Sequence, residues 1–201
     1  MKKFIALLLV LTMGLSLFAA CGKKTEAPVA DPTTDTTEVT EPEVTIGSSL
    51  EILENIWAKY GDDEKFAVMG GNMENAVMDA PGNYDLQYAE NLPYNLLIPE
   101  AEIANVDQVA SMIHAMNANT FTCGVFHLVD GVSAETFAAT MKDAIAGNMW
   151  MCGFPDRQVI VSFGGGYVLT AFGVNDAMTP FFAHLQEAYP EATVLFDEPI
   201  A

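Results

Sequence analysis

The sequence predicts an α+β domain in which an antiparallel-rich sheet carries two helices on one face. Two apolar, β-rich runs at 158–163 and 167–172 are joined by three glycines at 164–166, which is typical of a hairpin. A third run, at 120–129, alternates like a strand with one buried face. Segments with helical spacing separate these runs, so helices and strands are mixed within one domain.

An N-terminal helix is expected before this core. Ser48 and Glu51 have the spacing of a capping box, and apolar residues then recur every three or four positions as far as Tyr60. Gly61 is expected to end the helix. Residues 66–98 contain turn-forming pairs and room for a short helix interrupted by a proline, and we assign no regular element there.

The sequence of residues 106–116 fits either a helix or a strand. Several of their apolar residues have helical spacing, but Met112, His114 and Met116 also alternate as in a strand. Residues 117–119 have turn chemistry, and the strand at 120–129 follows directly. We favour a hairpin across 117–119 over a helix.

The C-terminal half predicts two more helices and a last strand. Ser133 is expected to cap a helix that ends near Gly147. Thr179-Pro180 is expected to open a second helix, because proline is favoured at the first helical position. Residues 192–196 then form the last strand. The complete order is ββαββαβ.

From residue 120 onward this order is that of the split βαβ units in ferredoxin-like folds. The predicted hairpin competes with that fold. If 108–116 pairs with 120–129, it occupies the edge that a ferredoxin-like sheet reserves for its last strand. Either way, the sequence predicts an antiparallel-rich sheet with both helices on one face.

The first twenty-one residues predict export and lipid attachment. Two lysines precede an apolar run at 4–18 that is too short to stay in a membrane as a spanning helix. The ending Phe18-Ala19-Ala20-Cys21 resembles the lipobox of bacterial lipoproteins. That resemblance implies removal of 1–20 as a signal peptide, a diacylglyceryl thioether on Cys21 and anchoring on the extracytoplasmic face of the cell membrane. The alternative is an ordinary signal peptide in which Cys21 is incidental.

Composition predicts a tether followed by an acidic domain. Residues 21–47 are rich in Thr, Pro and Glu and have no apolar periodicity, which is typical of a disordered spacer, and 48–201 form a single globular domain. From Thr45 onward there are four Lys and Arg residues against twenty-one carboxylates. This charge argues against nucleic acid as a partner and against contact of the domain with anionic lipid.

The histidines and cysteines do not form a pattern typical of catalysis or metal binding. His114, His127 and Cys123 could meet across the predicted hairpin, but Cys123 and His127 would lie about 13 Å apart along one strand. Cys152 has no local base, and Ser162 is not followed by the helix of a nucleophile elbow. We expect no metal, cofactor or catalytic residue. Free thiols are favoured over a Cys123–Cys152 disulfide, which stays an alternative.

The candidate binding patch is a loop rich in methionine and aromatic residues, Met149, Trp150, Met151 and Phe154. Thioethers and aromatic rings that are exposed in a loop are typical of an adaptable contact surface. The alternative is that the loop folds inward and covers a sheet edge.

The sequence therefore predicts a membrane-anchored, non-catalytic binding or interaction module with a protein or small-molecule partner that it does not identify. The alternatives are an extracellular hydrolase that acts on cell-wall or exported substrates, and an accessory subunit of a membrane complex. The lipobox, the acidic tether and a ββαββα order with a glycine turn at 164–166 resemble lipoproteins of Gram-positive bacteria that carry a domain of unknown function. This resemblance supports the predicted fold and leaves the activity of the protein open.

Overall fold

In the computed structural model of this chain, residues 45–200 are described, and all of them belong to one compact unit. The predicted signal peptide, Cys21 and the tether as far as residue 44 lie outside the described residues. Among residues 45–200, no helix combines the length and the apolar composition that crossing a membrane requires.

The described residues form an α+β fold with one antiparallel sheet of eight strands, as the sequence predicts at this level. The strands are β1 (Val68–Gly70), β2 (Val77–Met78), β3 (Gly82–Asn83), β4 (Val106–His114), β5 (Phe121–Leu128), β6 (Arg157–Phe163), β7 (Tyr167–Gly173) and β8 (Thr193–Pro199). Their spatial order is β2-β1-β4-β5-β7-β6-β8, and β3 pairs with β4 beside β1. The helices are α1 (Ser49–Trp57), α2 (Leu92–Asn95), α3 (Ala134–Ala146) and α4 (Asn175–Ala188).

The segment with two interpretations is a strand, and the hairpin across 117–119 is confirmed. β4 and β5 pair in antiparallel register from Val106 opposite Leu128 to Ile113 opposite Thr122. The Asn117 side chain accepts a hydrogen bond from the N–H of Asn119, an Asx turn that reverses the chain. One edge of β5 is therefore occupied by β4.

The ferredoxin-like strand order is wrong for this sheet. Because β4 holds one edge of β5, the last strand β8 instead pairs with β6 at the far edge. The two crossovers, β5–α3–β6 and β7–α4–β8, each pass one intervening strand and step in the same direction across the sheet. In a ferredoxin-like sheet the second crossover returns in the opposite direction.

The prediction of two helices on one face is wrong for the same reason. β5 and β7 are antiparallel, so two right-handed crossovers that step in the same direction place their helices on opposite faces. Packing agrees with this derivation: Phe181 of α4 belongs to the core on the α1 side, and Phe137 of α3 belongs to the core on the other side. Both faces of the central strands are therefore buried.

Helix α4 begins earlier than Thr179-Pro180, which was predicted to open it. The first helical residue is Asn175, whose N–H donates to the carboxylate of Asp156 at 2.9 Å. The carbonyl of Val174 accepts the N–H of Met178, so the first turn is complete before the proline. Pro180 lies inside the helix, where it removes one backbone hydrogen bond.

Helix α1 begins at the predicted cap. The Ser48 hydroxyl accepts the N–H of Glu51, and the Glu51 carboxylate accepts the N–H of Gly47. Ile52, Leu53 and Ile56 are fully buried against the sheet. The cap fixes where the chain enters the domain after residue 47.

Candidate functional site

Tyr94 is the most prominent aromatic side chain on the described surface, with 82% of it exposed. The short helix α2 holds it there. Leu92 and Leu96, on either side of Tyr94 in the chain, are buried in the core on the α3 side. Asn95 donates a hydrogen bond to the Tyr84 hydroxyl at 2.9 Å, which fixes the helix laterally. The backbone under Tyr94 is therefore rigid although its ring is in solvent.

A cleft of about 250 Å³ opens on one side of Tyr94. Two exposed methionines, Met73 and Met116, lie on its wall, and Met116 has 84% of its side chain exposed. Met73 begins the turn after β1. The buried Asn72 fixes this turn, because its side-chain oxygen accepts a hydrogen bond from the N–H of Asp85. Met116 follows β4 in the hairpin turn.

A second cleft of about 190 Å³ opens on the other side of Tyr94. Trp150 forms part of its wall, with the indole ring 5.4 Å from the ring of Phe172. The indole N–H is buried and has no acceptor among the described residues. Both clefts share Tyr94, Asn95 and Ala118, so they form one surface. We call the two clefts with Met73, Tyr94, Met116 and Trp150 the Tyr94 surface.

The predicted patch at 149–154 is divided between two environments. Met149, Met151 and Phe154 are exposed but line neither cleft, whereas Trp150 is half-buried in the second one. The loop is held against the β4–β5 turn, because the Asn119 side-chain amide donates to the carbonyls of Cys152 and Gly153. The loop thus adjoins the Tyr94 surface at Trp150. Its role in binding stays a prediction.

Backbone strain occurs within this surface. Leu97 follows α2 with a φ of +59° and lines the second cleft. A bulky residue in this left-handed region costs on the order of 1–3 kcal/mol, and such strain is found most often at functional sites. The strained turn ends α2 directly after Asn95 and so sets where Tyr94 projects.

Negative charge lies beside the clefts, but not in them. The described residues that line them include no Asp, Glu, Lys or Arg. Burial raises the pKa of Tyr84, and the charges of Glu74 and Glu90 raise it further, against the opposing effect of the hydrogen bond from Asn95. Both carboxylates therefore act at the position where α2 is anchored.

The histidine and cysteine pairings considered from sequence do not come together. His114 stacks on Phe66 at 5.3 Å, and its Nδ1 accepts the N–H of Met116. Cys123 is completely buried, and burial raises the pKa of its thiol well above the usual range. Cys152 is exposed, and both cysteines are free. No group of three or more His, Cys, Asp or Glu side chains among residues 45–200 is arranged to hold a metal ion.

His127 has a carboxylate partner, which is one part of a general-base arrangement. Its Nδ1 is hydrogen-bonded to Asp107, and its ring lies 4.6 Å from that of Tyr167. In the described part of the chain, no hydroxyl or thiol is hydrogen-bonded to the other ring nitrogen. The pair orients an imidazole without presenting it to a nucleophile.

A cleft of about 210 Å³ at the start of α4 contains carboxylates, as an enzyme active site often does. Arg157 binds Asp197 through two hydrogen bonds of 2.7 Å. This pairing lowers the pKa of Asp197, whereas a general acid needs a raised pKa. The cleft has the electrostatics of a structural ion pair.

Sequence analysis identified Trp150 but not Tyr94 or Met73, and it treated Met116 as part of an apolar alternation. Tyr94 follows a proline in a segment without clear periodicity, and Met116 lies two residues beyond the end of β4. Only the pairing of distant segments brings these side chains together. Comparisons with protein-family models, curated proteins and solved structures find no match for this chain.

Proposed function

We propose that this protein is a lipid-anchored extracytoplasmic binding module that engages its partner through the Tyr94 surface. The observation that carries the proposal is the concentration of exposed methionine and aromatic side chains around two adjoining clefts. Thioether side chains adapt to differently shaped partners, and aromatic residues provide much of the binding energy of interfaces.

A non-catalytic role fits the chemistry of this surface. The described residues that line the clefts supply amides, thioethers, aromatic rings, one imidazole and the hydroxyls of Tyr94 and Thr122, and the Thr122 hydroxyl donates to the carbonyl of Ala118. The thiol at Cys123 is buried, and the Asp107–His127 pair lies outside both clefts. These groups favour contact with a partner over acid–base or nucleophilic chemistry.

Anchoring is supported by the N-terminal pattern. The apolar run at 4–18, the small residues before Cys21 and the tether that follows are typical of a lipoprotein. With a spacer of roughly 25 residues, a flexible chain spans on average about 25–30 Å. The domain would then meet partners close to the membrane, which is compatible with an accessory subunit of a membrane complex.

The test combines fractionation with the size of the native complex. Cys21→Ser should abolish lipid attachment, so that the protein is either released from the membrane fraction or accumulates as the uncleaved precursor. Tyr94→Ser should leave the protein in the membrane but reduce the size at which it migrates after mild detergent extraction. Val194→Thr, which makes an exposed valine on β8 polar, is the matched control and should migrate as the wild type does.

Two results would contradict the proposal. The anchoring part fails if the Cys21→Ser protein is processed and retained in membranes as before. The binding part fails if the wild-type protein migrates as a monomer, or if Tyr94→Ser and Val194→Thr reduce the complex equally.

A further inference from the structure

The geometry points to a basic amphipathic peptide segment as the occupant of the Tyr94 surface. Apolar side chains of the segment would fill the two clefts, and its lysines or arginines would lie over the adjoining carboxylates. This inference rests on the proposed function and specifies the chemistry of the partner.

The shape and the adaptability of the clefts suit an apolar ligand. The clefts adjoin through Tyr94, Asn95 and Ala118, so one continuous ligand can occupy both. Thioether side chains adjust to differently shaped apolar groups, and Met73 and Met116 line the larger cleft. An amphipathic helix presents residues three or four apart on one side and so offers two neighbouring apolar anchors.

No Lys or Arg among residues 45–200 lines either cleft of the Tyr94 surface, and the basic side chain in the larger cleft is the imidazole of His114. Each of the four Lys and Arg side chains contacts partners elsewhere in the domain. Lys59 forms an ion pair with Glu187, and Arg157 forms one with Asp197. The ammonium of Lys65 lies over the indole ring of Trp57. Lys142 contacts the carboxylate of Asp143 and the phenyl ring of Phe196. Among residues 45–200, therefore, no Lys or Arg side chain supplies positive charge to the Tyr94 surface, and a cationic ligand would add it.

Groups beside the clefts favour such a cation. Glu74 follows Met73 directly, and its carboxylate accepts a 2.7 Å hydrogen bond from the side-chain amide of Asn72, which lines the larger cleft. Glu90 lies in the turn directly before α2. The thirteen-residue helix α3 ends at Ala146 without a basic residue in its last turn, and the chain then enters the second cleft through Asn148 and Trp150. The partial negative charge at this helix end stabilises a nearby cation.

Charge also disfavours the other occupants of an apolar surface. A second copy of the chain would bring the same excess of carboxylates, twenty-one against four cations from Thr45 onward. An anionic lipid surface would be repelled in the same way. A cationic segment with apolar side chains can fill the clefts and is attracted by the negative charge around them.

The probe is a synthetic eighteen-residue Leu/Lys amphipathic helix, titrated into the purified protein while tryptophan emission is recorded. Trp57 is buried, so Trp150 supplies the responsive signal, and Trp150→Phe should remove it. A Leu/Glu peptide and a Ser/Lys peptide of the same length are the controls. We expect saturable binding of the Leu/Lys peptide alone. Tyr94→Ser should weaken it by at least about tenfold, whereas Val194→Thr should not.

Charge is tested separately with Glu74→Gln. It should weaken binding of the Leu/Lys peptide about two- to threefold in low salt and have no effect in high salt, because salt screens exposed charges. The inference is overturned if the Leu/Glu or Ser/Lys peptide binds as well, if Tyr94→Ser has no effect, or if the protein self-associates through this surface. If the native complex depends on Tyr94 but the Leu/Lys peptide does not bind, the proposed function stands and the partner chemistry is wrong.

Discussion

Burial of both faces of the sheet predicts that two phenylalanines on opposite faces of one strand make similar contributions to stability. Phe121 and Phe126 both belong to β5 and point to opposite faces. Phe121 packs against Phe181 of α4 at 4.9 Å, and Phe126 packs against Phe137 of α3 at 5.5 Å. Neither side chain is exposed to solvent.

The magnitude follows from these environments. Replacement of a fully buried phenylalanine by alanine costs about 3–5 kcal/mol, which combines lost apolar burial with the cavity left behind. In a domain of this size, 1 kcal/mol shifts the midpoint of thermal unfolding by about 2–4 °C. We therefore expect Phe121→Ala and Phe126→Ala each to lower the midpoint by roughly 6–20 °C.

The assays are thermal unfolding, which measures this shift, and urea unfolding, which measures the free energy, both followed by circular dichroism. Phe121→Leu and Phe126→Leu serve as milder variants that keep the protein folded if the alanine variants do not. Both positions should lower the urea midpoint with little change in the slope of the transition. If one position costs less than about 0.5 kcal/mol while the other costs the full amount, one face of the sheet is not packed and the derived arrangement of α3 and α4 is wrong.

Three further perturbations test particular contacts. Gly70→Ala should destabilise the domain by more than about 2 kcal/mol in urea unfolding, because the added Cβ would overlap the backbone around Gly82. Gly164→Ala is the control and should be neutral, because its Cβ meets open space. Equal effects of the two substitutions would refute this packing. Burial raises the pKa of Tyr60, so the stability that its neutral form contributes is complete below about pH 10 and is lost at higher pH. Tyr60→Phe should reduce this alkaline loss of stability. It should be close to neutral at pH 7, because the hydroxyl has no partner among the described residues, and an unchanged alkaline profile would contradict this. Arg157 lowers the pKa of Asp197, so the pair stabilises the fold above about pH 3.9 and less as pH falls below it. Asp197→Asn should cost under about 1 kcal/mol at pH 7 and less near pH 2, as measured by urea unfolding at both values, and an equal cost at both would contradict this.

Local chemistry accounts for the parts of the fold that sequence analysis predicted correctly. Ser133 caps α3, three glycines join β6 to β7, and the Asx turn at Asn117 makes the β4–β5 hairpin. Each of these signals acts over a few residues and is readable without knowledge of the rest of the chain.

The face on which each helix lies could not be read in this way. It depends on which edge of the sheet receives β8, and that depends on β4 already occupying the edge of β5. The start of α4 was missed for a related reason: Asp156, nineteen residues earlier, accepts the N–H of Asn175 and stabilises a turn that the Thr179-Pro180 pair does not indicate.

In the candidate site too, a feature that depends on neighbouring residues could be predicted from the sequence, whereas features that depend on distant segments could not. The loop around Trp150 is recognisable because its composition is unusual for a loop. Tyr94, Met73 and Met116 come from three separate segments, the helix α2, the turn after β1 and the turn after β4, and the fold brings these segments to one cleft. No spacing within the sequence marks them as one surface.

Site-specific photo-crosslinking in intact cells tests the role of the Tyr94 surface most directly. A photoreactive residue at Met116 lies on the wall of the larger cleft, and the same residue at Val194 lies on β8, outside both clefts. The account predicts a discrete adduct from Met116 that disappears with Tyr94→Ser, and no such adduct from Val194. An adduct of equal yield from Val194, or no adduct from Met116, would contradict it.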